Sequence, residues 1–412
     1  MAIEFKKIVL ITSGQPSLNP RIVKEADALA EVGYDVTVIY QFWNNWATQL
    51  DQQLLAKKKW KAIRVGGDPV TEKFIYWKTR VQYKIYQKLL GLIGLNYKTS
   101  IGAIGRCTKL LIKEALKTPA EIYIAHNLSA LPAAVIAAKK NNCKCGFDAE
   151  DFHRNEVTND SNHIDFKLKK FIEDHFIDKL DYLTTASPLI SEAYQQLYSK
   201  INPVTILNVF PKTNLQLIKE SSNRLKLFWF SQTIGEGRGI EQIILAIGQL
   251  NHQTIELHLL GSHSLEIKSK FEEIALKNNL DFTQLFFHSP ISSDQLIPFA
   301  SQFDIGIASE ISTPWNRNIC LTNKIFTYIN AGLGVLASDT LAQKKLLEDY
   351  PGMGFIYNKN EISTLINCLN TYINQPEVLK NQKKQALSYC NNHLNWEIEK
   401  EKFLNIIKVA IS

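Results

Sequence analysis

A glycine-rich stretch, FSQTIGEGRGIEQ at residues 230–242, surrounds one arginine with three glycines just before a predicted helix. Gly235, Gly237 and Gly239 allow the backbone to turn tightly, and the guanidinium group of Arg238 can bind two phosphate oxygens at once. Amide groups at the start of a helix also attract anions. The stretch therefore predicts a phosphate site, with a flexible loop carrying one solvated arginine as the alternative.

A second basic helix start lies at residues 322–339, TNKIFTYINAGLGVLASD. Thr322 or Asn323 can cap this helix, and Lys324 falls in its first turn, where the helix dipole favours negative charge. That lysine is explained if an anion binds nearby, and Glu310 lies in the loop before it. Two such helix starts in one half of the chain predict a site for a pyrophosphate group, as in a nucleotide diphosphate.

Acidic residues and a histidine follow two other predicted strands. The stretch GFDAEDFHRNE at residues 146–156 contains Asp148, Glu150 and Asp151, and His126 ends the preceding strand. Such side chains at strand ends can bind hydroxyl groups or accept a proton, or they can form a structural hydrogen-bonded cluster. Their spacing matches no metal-ligand motif, so no metal ion is expected.

The turn SGQPSLNPR at residues 13–21 joins the first predicted strand to the first predicted helix. Gly14 permits a close approach of the backbone to a ligand, and Asn19 followed by Pro20 is typical of a helix start. The turn could bind an anion or a sugar hydroxyl. It lacks the GxGxxG spacing of dinucleotide sites, which are therefore not expected.

Two similar series of strands and helices must position these residues. The series run through residues 1–205 and 206–385, which predicts two doubly wound parallel α/β domains whose sheets face a central cleft. A polar connection is predicted at 211–224, and a helical C-terminal segment at 386–412. The strand patterns are KIVLITS, YDVTVIY, EIYIAHN, KCGFDAE, YLTTAS and PVTILNV in the first series, and LKLFWFS, IELHLLG, TQLFFHS, DIGIAS and GVLAS in the second.

The composition is that of a globular protein, because 45% of the residues are hydrophobic and only 21% are charged. The net charge of +7 is unevenly placed, with lysines and arginines among aromatic residues at positions 56–94. This mixture predicts contact with an anionic membrane surface, or else an ordinary helix with a buried aromatic face. Nucleic acid is not expected as a partner, since no nucleic-acid-binding module accompanies the basic segment.

The N-terminal apolar run is too short for a signal peptide, and no stretch approaches the length of a membrane span. The protein is therefore expected in the cytoplasm, with membrane contact only at the inner face of the plasma membrane. Its six cysteines show no metal-ligand spacing. Neither a disulfide nor a structural zinc site is expected.

Six blocks of the sequence resemble, in order, those of bacterial glycosyltransferases of family 4, which have the GT-B fold. The blocks are NPRIVKEADALAEVGYDVTVI, IAHNLSALPAAVIAAKK, FDAEDFHRNE, LTTASPLISEAY, GRGIEQIILAI and NKIFTYINAGLGVLAS. The resemblance covers nearly the whole chain. It implies a retaining, metal-independent transferase with the acceptor in the N-terminal domain, a nucleotide sugar in the C-terminal domain and a last helix that crosses back to the first domain.

By position, the resemblance implies that Arg238 contacts the donor phosphates, Lys324 the nucleotide ribose and phosphate, and His126 the reaction centre near the acceptor. Glu150 and Asp151 fall in the family's acidic stretch. The candidate catalytic residues are His126, Glu150 and Asp151, and the candidate donor-binding residues are Gly14, Gln232, Arg238, Gly239, Glu310, Asn323, Lys324 and Thr327.

The chain also departs from the family pattern. Ile319 and Thr327 stand where the family has two glutamates, the second of which holds the ribose hydroxyls. A threonine offers one hydroxyl there in place of two carboxylate oxygens. Gln232 stands where an arginine is common and Glu150 where a histidine is common, so the donor is expected to be held more weakly or differently.

The leading hypothesis is a glycosyltransferase that moves a hexose-type sugar from a nucleotide diphosphate to a glycan or lipid-linked acceptor in cell-surface polysaccharide synthesis. One alternative, motivated by Thr327, is a non-catalytic subunit that binds a nucleotide sugar or a glycan. Another is a nucleotide-sugar epimerase of the same fold. No cofactor is expected beyond the donor substrate.

Overall fold

The computed structural model describes residues 6–215, 224–250 and 254–412, and its contacts divide the chain into two compact units. The first unit consists of the chain up to Leu207 together with Pro314–Asn316 and Lys400–Ser412. The second consists of Asn208–Thr313 and Arg317–Glu399. The last helix therefore contributes residues to both units.

The first unit is built on a parallel sheet with helices between its strands. The strands are β1 (Lys7–Thr12), β2 (Asp35–Gln41), β3 (Lys61–Val65), β4 (Ile122–His126), β5 (Lys144–Ala149), β6 (Tyr182–Thr185) and β7 (Val204–Thr205). Their order is β3-β2-β1-β4-β5-β6-β7. The helices are α1 (Pro20–Glu31), α2 (Asn45–Leu55), α3 (Lys73–Ile93), α4 (Tyr97–Ala103), α5 (Thr108–Ala115), α6 (Leu131–Asn141), α7 (Ile164–Phe176) and α8 (Pro188–Leu197), with short 3-10 turns at Pro16–Leu18, His153–Asn155 and Ile177–Lys179.

The second unit repeats this plan. Its strands are β8 (Leu225–Thr233), β9 (Ile255–Ser262), β10 (Leu285–His288), β11 (Ile305–Ala308), β12 (Gly334–Ser338) and β13 (Gly354–Tyr357), in the order β10-β9-β8-β11-β12-β13. The remaining helices along the chain are α9 (Ile240–Leu250), α10 (Leu265–Lys277), α11 (Ser293–Ala300), α12 (Trp315–Ile319), α13 (Asn323–Asn330), α14 (Leu341–Asp349), α15 (Ile362–Asn374), α16 (Pro376–Asn392) and α17 (Trp396–Ala410). A 3-10 turn lies at Phe282–Gln284.

Both sheets are buried at their centres. In the first unit β1 and β4 pair side by side and bury nearly every residue, because helices cover both faces of a doubly wound sheet. The strand order reverses between β1 and β4, and in the second unit between β8 and β11. Ligands of such folds bind beyond the strand ends at these reversals, which lie beside His126 and Ser309.

The predicted fold class of two doubly wound parallel domains is confirmed, with local differences. The pattern PVTILNV forms only the two-residue β7, an edge strand that begins directly after Pro203. The C-terminal segment contains the end of α16 and a separate helix, α17. Helix α16 ends at Asn392, and Asn395 caps the start of α17 because its Oδ1 accepts a hydrogen bond from Ile398 N (3.1 Å). Residues 216–223 of the predicted connection and the first five residues lie outside the described residues.

Residues 56–94 form β3 and the long helix α3. This helix buries only Thr79 and Leu90, while Phe74 and Trp77 are 79% and 57% exposed. The opposite face of the helix carries Tyr76, Tyr83 and Tyr86, which are partly buried, so the segment has a partly buried aromatic face as well as an exposed one. No helix in the described parts of the chain is both long and apolar enough to cross a bilayer, and the six cysteines are free thiols.

Candidate functional site

A buried tryptophan lies at the centre of the candidate donor site in the second unit. Trp229 is on β8, next to β11 where the strand order reverses. Its indole Nε1 donates to Ser309 Oγ (2.9 Å), and Ser309 Oγ donates to the backbone oxygen of Arg238 (2.7 Å). Because Ser309 follows β11 directly, these hydrogen bonds fix the glycine-rich loop to the carboxyl end of the sheet.

The glycines of this loop are required by its conformation. Gly237 and Gly239 have φ values of +69° and +81°, which residues with a Cβ rarely adopt. A Cβ on Gly239 would also lie 2.8 Å from the Cβ of Ser309. The loop can therefore approach Ser309 closely while Arg238 stays exposed, with its Nη1 donating to Ser231 Oγ at 2.5 Å.

Lys324 lies in the first turn of α13, close to the same tryptophan. Its Nζ is 5.6 Å from the centre of the Trp229 ring and 2.7 Å from Glu310 Oε1. Thr322 Oγ1 donates to the same carboxylate oxygen (3.0 Å). Since the Lys324 side chain is only 15% exposed, Glu310 supplies the negative charge that a largely buried cation needs. A carboxylate thus pairs with Lys324 where the sequence predicts a ligand anion.

The other donor candidates of the second unit differ in exposure. Gln232 and Asn323 are exposed, and Asn323 Oδ1 accepts from Asn208 Nδ2 (2.9 Å). Thr327 is fully buried, and its hydroxyl donates to the backbone oxygen of Asn323 (2.9 Å). Ile319 is buried as well. The hydroxyl proton of Thr327 is therefore used inside helix α13.

The first unit holds a buried cluster of charged side chains at the carboxyl edge of its sheet. His126 ends β4, Asp148 lies opposite it on β5, and Thr12 ends β1 on the other side. Helix α1 contributes Arg21 and Glu25 from successive turns. The exposure of the four titratable side chains is at most 1%, so their charges must balance inside the protein.

Arg21 is the permanent cation of this cluster. Its guanidinium group donates to both carboxylate oxygens of Asp148 and to the backbone oxygen of Ile206. Its Nε lies 3.7 Å from Glu25 Oε1. Burial alone would raise the pKa of Asp148, but the charges of Arg21 and His126 and the hydrogen bonds from Arg21 hold that pKa below its ordinary value.

Carboxylates surround the imidazole of His126. Its Nε2 lies 3.0 Å from Glu25 Oε2, and its Nδ1 lies 3.4 Å from Asp148 Oδ2 and 3.5 Å from Glu150 Oε1. The amide of Asn19, the N-cap residue of α1, donates to the same Glu150 oxygen (2.7 Å). Glu150 is 23% exposed, so it is the member of the cluster that reaches solvent.

Asp151 and Gly14 make other contacts in the first unit. Asp151 Oδ1 accepts from Asn316 Nδ2 (2.8 Å), and burial raises the pKa of this aspartate. Gly14 N donates to Thr12 Oγ1 (3.1 Å), which itself donates to Asn127 Oδ1 (2.9 Å). Gly14 therefore belongs to the strand-end loop of the first unit.

Within the described residues, one group of side chains has the composition of a metal site. Ligand atoms of Glu25, His126 and Asp148 lie within 4.8 Å of one another. Arg21 already donates to both oxygens of Asp148, and a guanidinium cation beside these ligands would repel a metal ion. Arg21 thus already supplies a positive charge to this group.

The chain resembles solved glycosyltransferases over its whole length. A glycosyltransferase from Rickettsia africae has a TM-score of 0.70 and 14% identity, with 99% of each chain covered. Sucrose-phosphate synthase from Thermosynechococcus elongatus has a TM-score of 0.70 and 13% identity, with 98% of each chain covered. Anabaena HepE in complex with UDP has a TM-score of 0.69 and 14% identity, with 98% of this chain and 100% of HepE covered. The chain has the GT-B fold.

No protein-family model matches the chain, and no curated protein sequence matches it significantly. At such low identity a shared fold does not fix the reaction, because specificity depends on individual side chains. Membership in glycosyltransferase family 4 remains a prediction.

The structure groups the predicted residues into two sets. Arg238, Gly239, Glu310 and Lys324 gather around Trp229 and Ser309 in the second unit, whereas the Asn323 side chain contacts Asn208 instead. His126 and Glu150 gather around Arg21 and Glu25 in the first unit. Sequence reasoning missed these four surrounding residues. The available signal for two of them was the spacing of Arg21 and Glu25, which places both charges on the face of α1 that also carries apolar residues.

Proposed function

We propose that this protein is a glycosyltransferase that moves a sugar from a nucleotide diphosphate donor to a glycan or lipid-linked acceptor, with retention and without a metal ion. The observation that supports it most is the convergence of Lys324 and the Arg238 loop on Trp229 and Ser309. Both basic groups stand at helix starts, where amide dipoles add to their positive charge. HepE, which has the same fold, was solved with UDP and with UDP-glucose.

In this proposal Lys324 and Arg238 stabilise the diphosphate as negative charge develops on the leaving group. Positively charged groups placed before the reaction lower the barrier most where water is excluded. Lys324 exchanges its contact with Glu310 for a phosphate oxygen when the donor binds. Glu310 then has a carboxylate available for a hydroxyl group of the donor.

The acceptor hydroxyl is oriented by the first unit, through Glu150 at the exposed side of the charged cluster. A glycan, free or linked to lipid, is the proposed acceptor class. One supporting comparison is TarM, which shares the fold with a TM-score of 0.68 and was solved with UDP and α-GlcNAc-glycerol. The screen described next identifies the sugar transferred.

The second candidate function is a non-catalytic subunit that binds a nucleotide sugar. It is favoured by Thr327, which is buried and uses its hydroxyl within α13, where the resembled family has a ribose-binding glutamate.

A screen of purified protein against nucleotide sugars separates these functions. If the protein is a transferase, donor binding should raise its thermal stability, and it should release nucleotide diphosphate when acceptor is present. Stabilisation without release of nucleotide diphosphate supports the non-catalytic subunit. Conversion of the donor into another nucleotide sugar without any acceptor supports an epimerase.

We further propose that α3 binds an anionic membrane surface. Its exposed apolar side chains include Phe74, Trp77, Val81 and Leu92, and its sequence carries five basic residues and no acidic ones. Aromatic rings lie at headgroup depth and cations meet anionic lipid in such interfacial helices. Attachment here brings the first unit to lipid-linked acceptors.

The membrane proposal predicts that the protein sediments with vesicles containing anionic lipid at low salt and is released by high salt, because surface attraction is screened. Replacing Phe74 and Trp77 together with alanine should lower the bound fraction at low salt, where the wild type binds. Leu265→Ala is the matched control, since that leucine is 83% exposed on α10 of the second unit. Equal binding of wild type and the double variant, or no binding at low salt, contradicts the proposal.

A further inference from the structure

His126 is the least exposed member of the charged cluster, and both of its ring nitrogens face carboxylates. Glu25 lies at Nε2, while Asp148 and Glu150 lie at Nδ1. A neutral imidazole has a lone pair on one nitrogen, which would point at a carboxylate oxygen in either tautomer. Within the part of the chain that the structure describes, neither ring nitrogen and neither Glu25 oxygen forms a hydrogen bond, so these are close contacts between ionisable groups, and only the doubly protonated ring places a positive charge beside both sets of carboxylates.

The charges around the ring come from every element packed against it. From β1 the neighbouring side chain is uncharged Thr12. The titratable groups are Arg21, Lys24 and Glu25 from α1, Asp148 from β5, Glu150 after β5 and Tyr182 from β6. Three carboxylates thus meet one arginine, and burial together with the charge of Arg21 lowers the pKa of Lys24 to about 7. His126 is the remaining group of the cluster that can add a second full positive charge.

We propose that Glu25 holds His126 as an imidazolium ion, and that this ion positions the Glu150 carboxylate for the acceptor. Glu25 is then a positioning residue that acts through His126. The part concerning the acceptor rests on the proposed function, whereas the charge of His126 does not. An imidazolium has no free lone pair, so His126 is not a general base in this account.

The balance of effects on His126 supports this assignment. Burial alone would lower its pKa, but the charge of Glu25 and the contacts with Glu150 and Asp148 raise it to about 10. Burial raises the pKa of Glu25, which therefore depends on the imidazolium and on Arg21 to remain a carboxylate. Removing the Glu25 charge should return His126 to the neutral form near neutral pH.

The test is the protonation of His126 measured by NMR of histidine-labelled full-length protein, with the signal assigned from His126→Gln. In the wild type the ring should stay doubly protonated from about pH 6 to about pH 9, well above the ordinary histidine range. Glu25→Gln should lower the midpoint by about three pH units, to near neutral pH. Glu156→Gln is the matched control: Glu156 lies 3.2 Å from Nδ1 of the buried His153, so only the His153 signal should respond.

The kinetic readout separates positioning from a merely structural role. In Glu25→Gln, activity should fall as pH rises through the lowered pKa of His126 and recover at acidic pH, while Glu25→Asp keeps a near wild-type profile. A neutral His126 in the wild type at about pH 7, or an unchanged His126 midpoint in Glu25→Gln, overturns the proposal. If no transfer activity is found, the NMR result still decides the charge of His126, so the two proposals fail separately.

Discussion

Replacing Arg21 with alanine is expected to lower the free energy of unfolding by about 3–5 kcal/mol, the usual result of removing one partner from a buried ion pair. The guanidinium group is 1% exposed and donates to both oxygens of Asp148 and to the backbone oxygen of Ile206. Alanine would leave Asp148 and Glu25 buried without their permanent cation. Urea unfolding gives the loss of stability, and hydrogen exchange of β4 and β5 amide groups locates it in the first unit.

The surface pair of Lys277 and Glu273 provides the control. Its side chains are 70% and 63% exposed, so Lys277→Ala should change stability by no more than about 0.5 kcal/mol. The loss of unfolding free energy in Arg21→Lys should lie between those of Arg21→Ala and Lys277→Ala, because lysine keeps the charge but cannot contact both oxygens of Asp148 as the guanidinium group does. A loss in Arg21→Ala no larger than that in Lys277→Ala would show that the cluster does not depend on this cation.

Replacing Lys324 with alanine is expected to weaken binding of the nucleotide diphosphate by about 10- to 150-fold, because a charge-assisted contact contributes about 1.5–3 kcal/mol. Lys324 is the cation nearest Trp229 at the start of α13. Its loss also leaves the Glu310 carboxylate, at present 2.7 Å from Nζ, to repel the diphosphate. Isothermal titration calorimetry measures the change, and Arg238→Ala should also weaken binding.

Two comparisons make this result specific. Lys324→Ala combined with Glu310→Gln should recover part of the affinity, since the repelling carboxylate is gone. Lys383→Ala should bind as the wild type does. Lys383 forms a similarly buried pair with Asp304 (2.9 Å), which precedes β11 and so lies at the amino end of that strand, away from the proposed site. Unchanged affinity in both Arg238→Ala and Lys324→Ala would remove the diphosphate from this site.

Strong apolar patterns made much of the fold predictable. The segment KIVLITS through YDVTVIY became β1, α1 and β2 because its apolar residues have strand and helix periods and its helix ends before a glycine. The edge strand β3 was missed, since its residues are half exposed and carry no apolar run. The unit α14, β13 and α15 was also missed, as β13 is only four residues long and partly exposed.

The sites were predictable only in their local parts. A lysine in the first turn of α13 and glycines before α9 mark an anion site because helix starts have a known polarity. The Glu310 partner of Lys324 and the link from Trp229 through Ser309 to Arg238 depend on tertiary packing. Likewise, Glu25 and His126 are far apart in sequence and meet only because α1 packs against β1 and β2 and extends its charged side chains to the ends of β4 and β5.

The most direct measurement is a crystal structure of the protein with a nucleotide diphosphate sugar that stabilises it in the screen. We expect diphosphate oxygens within hydrogen-bond distance of Lys324 Nζ, with Arg238 turned from Ser231 towards the phosphate and Glu310 released from the lysine. A diphosphate bound elsewhere, with the pair of Lys324 and Glu310 intact, would contradict it.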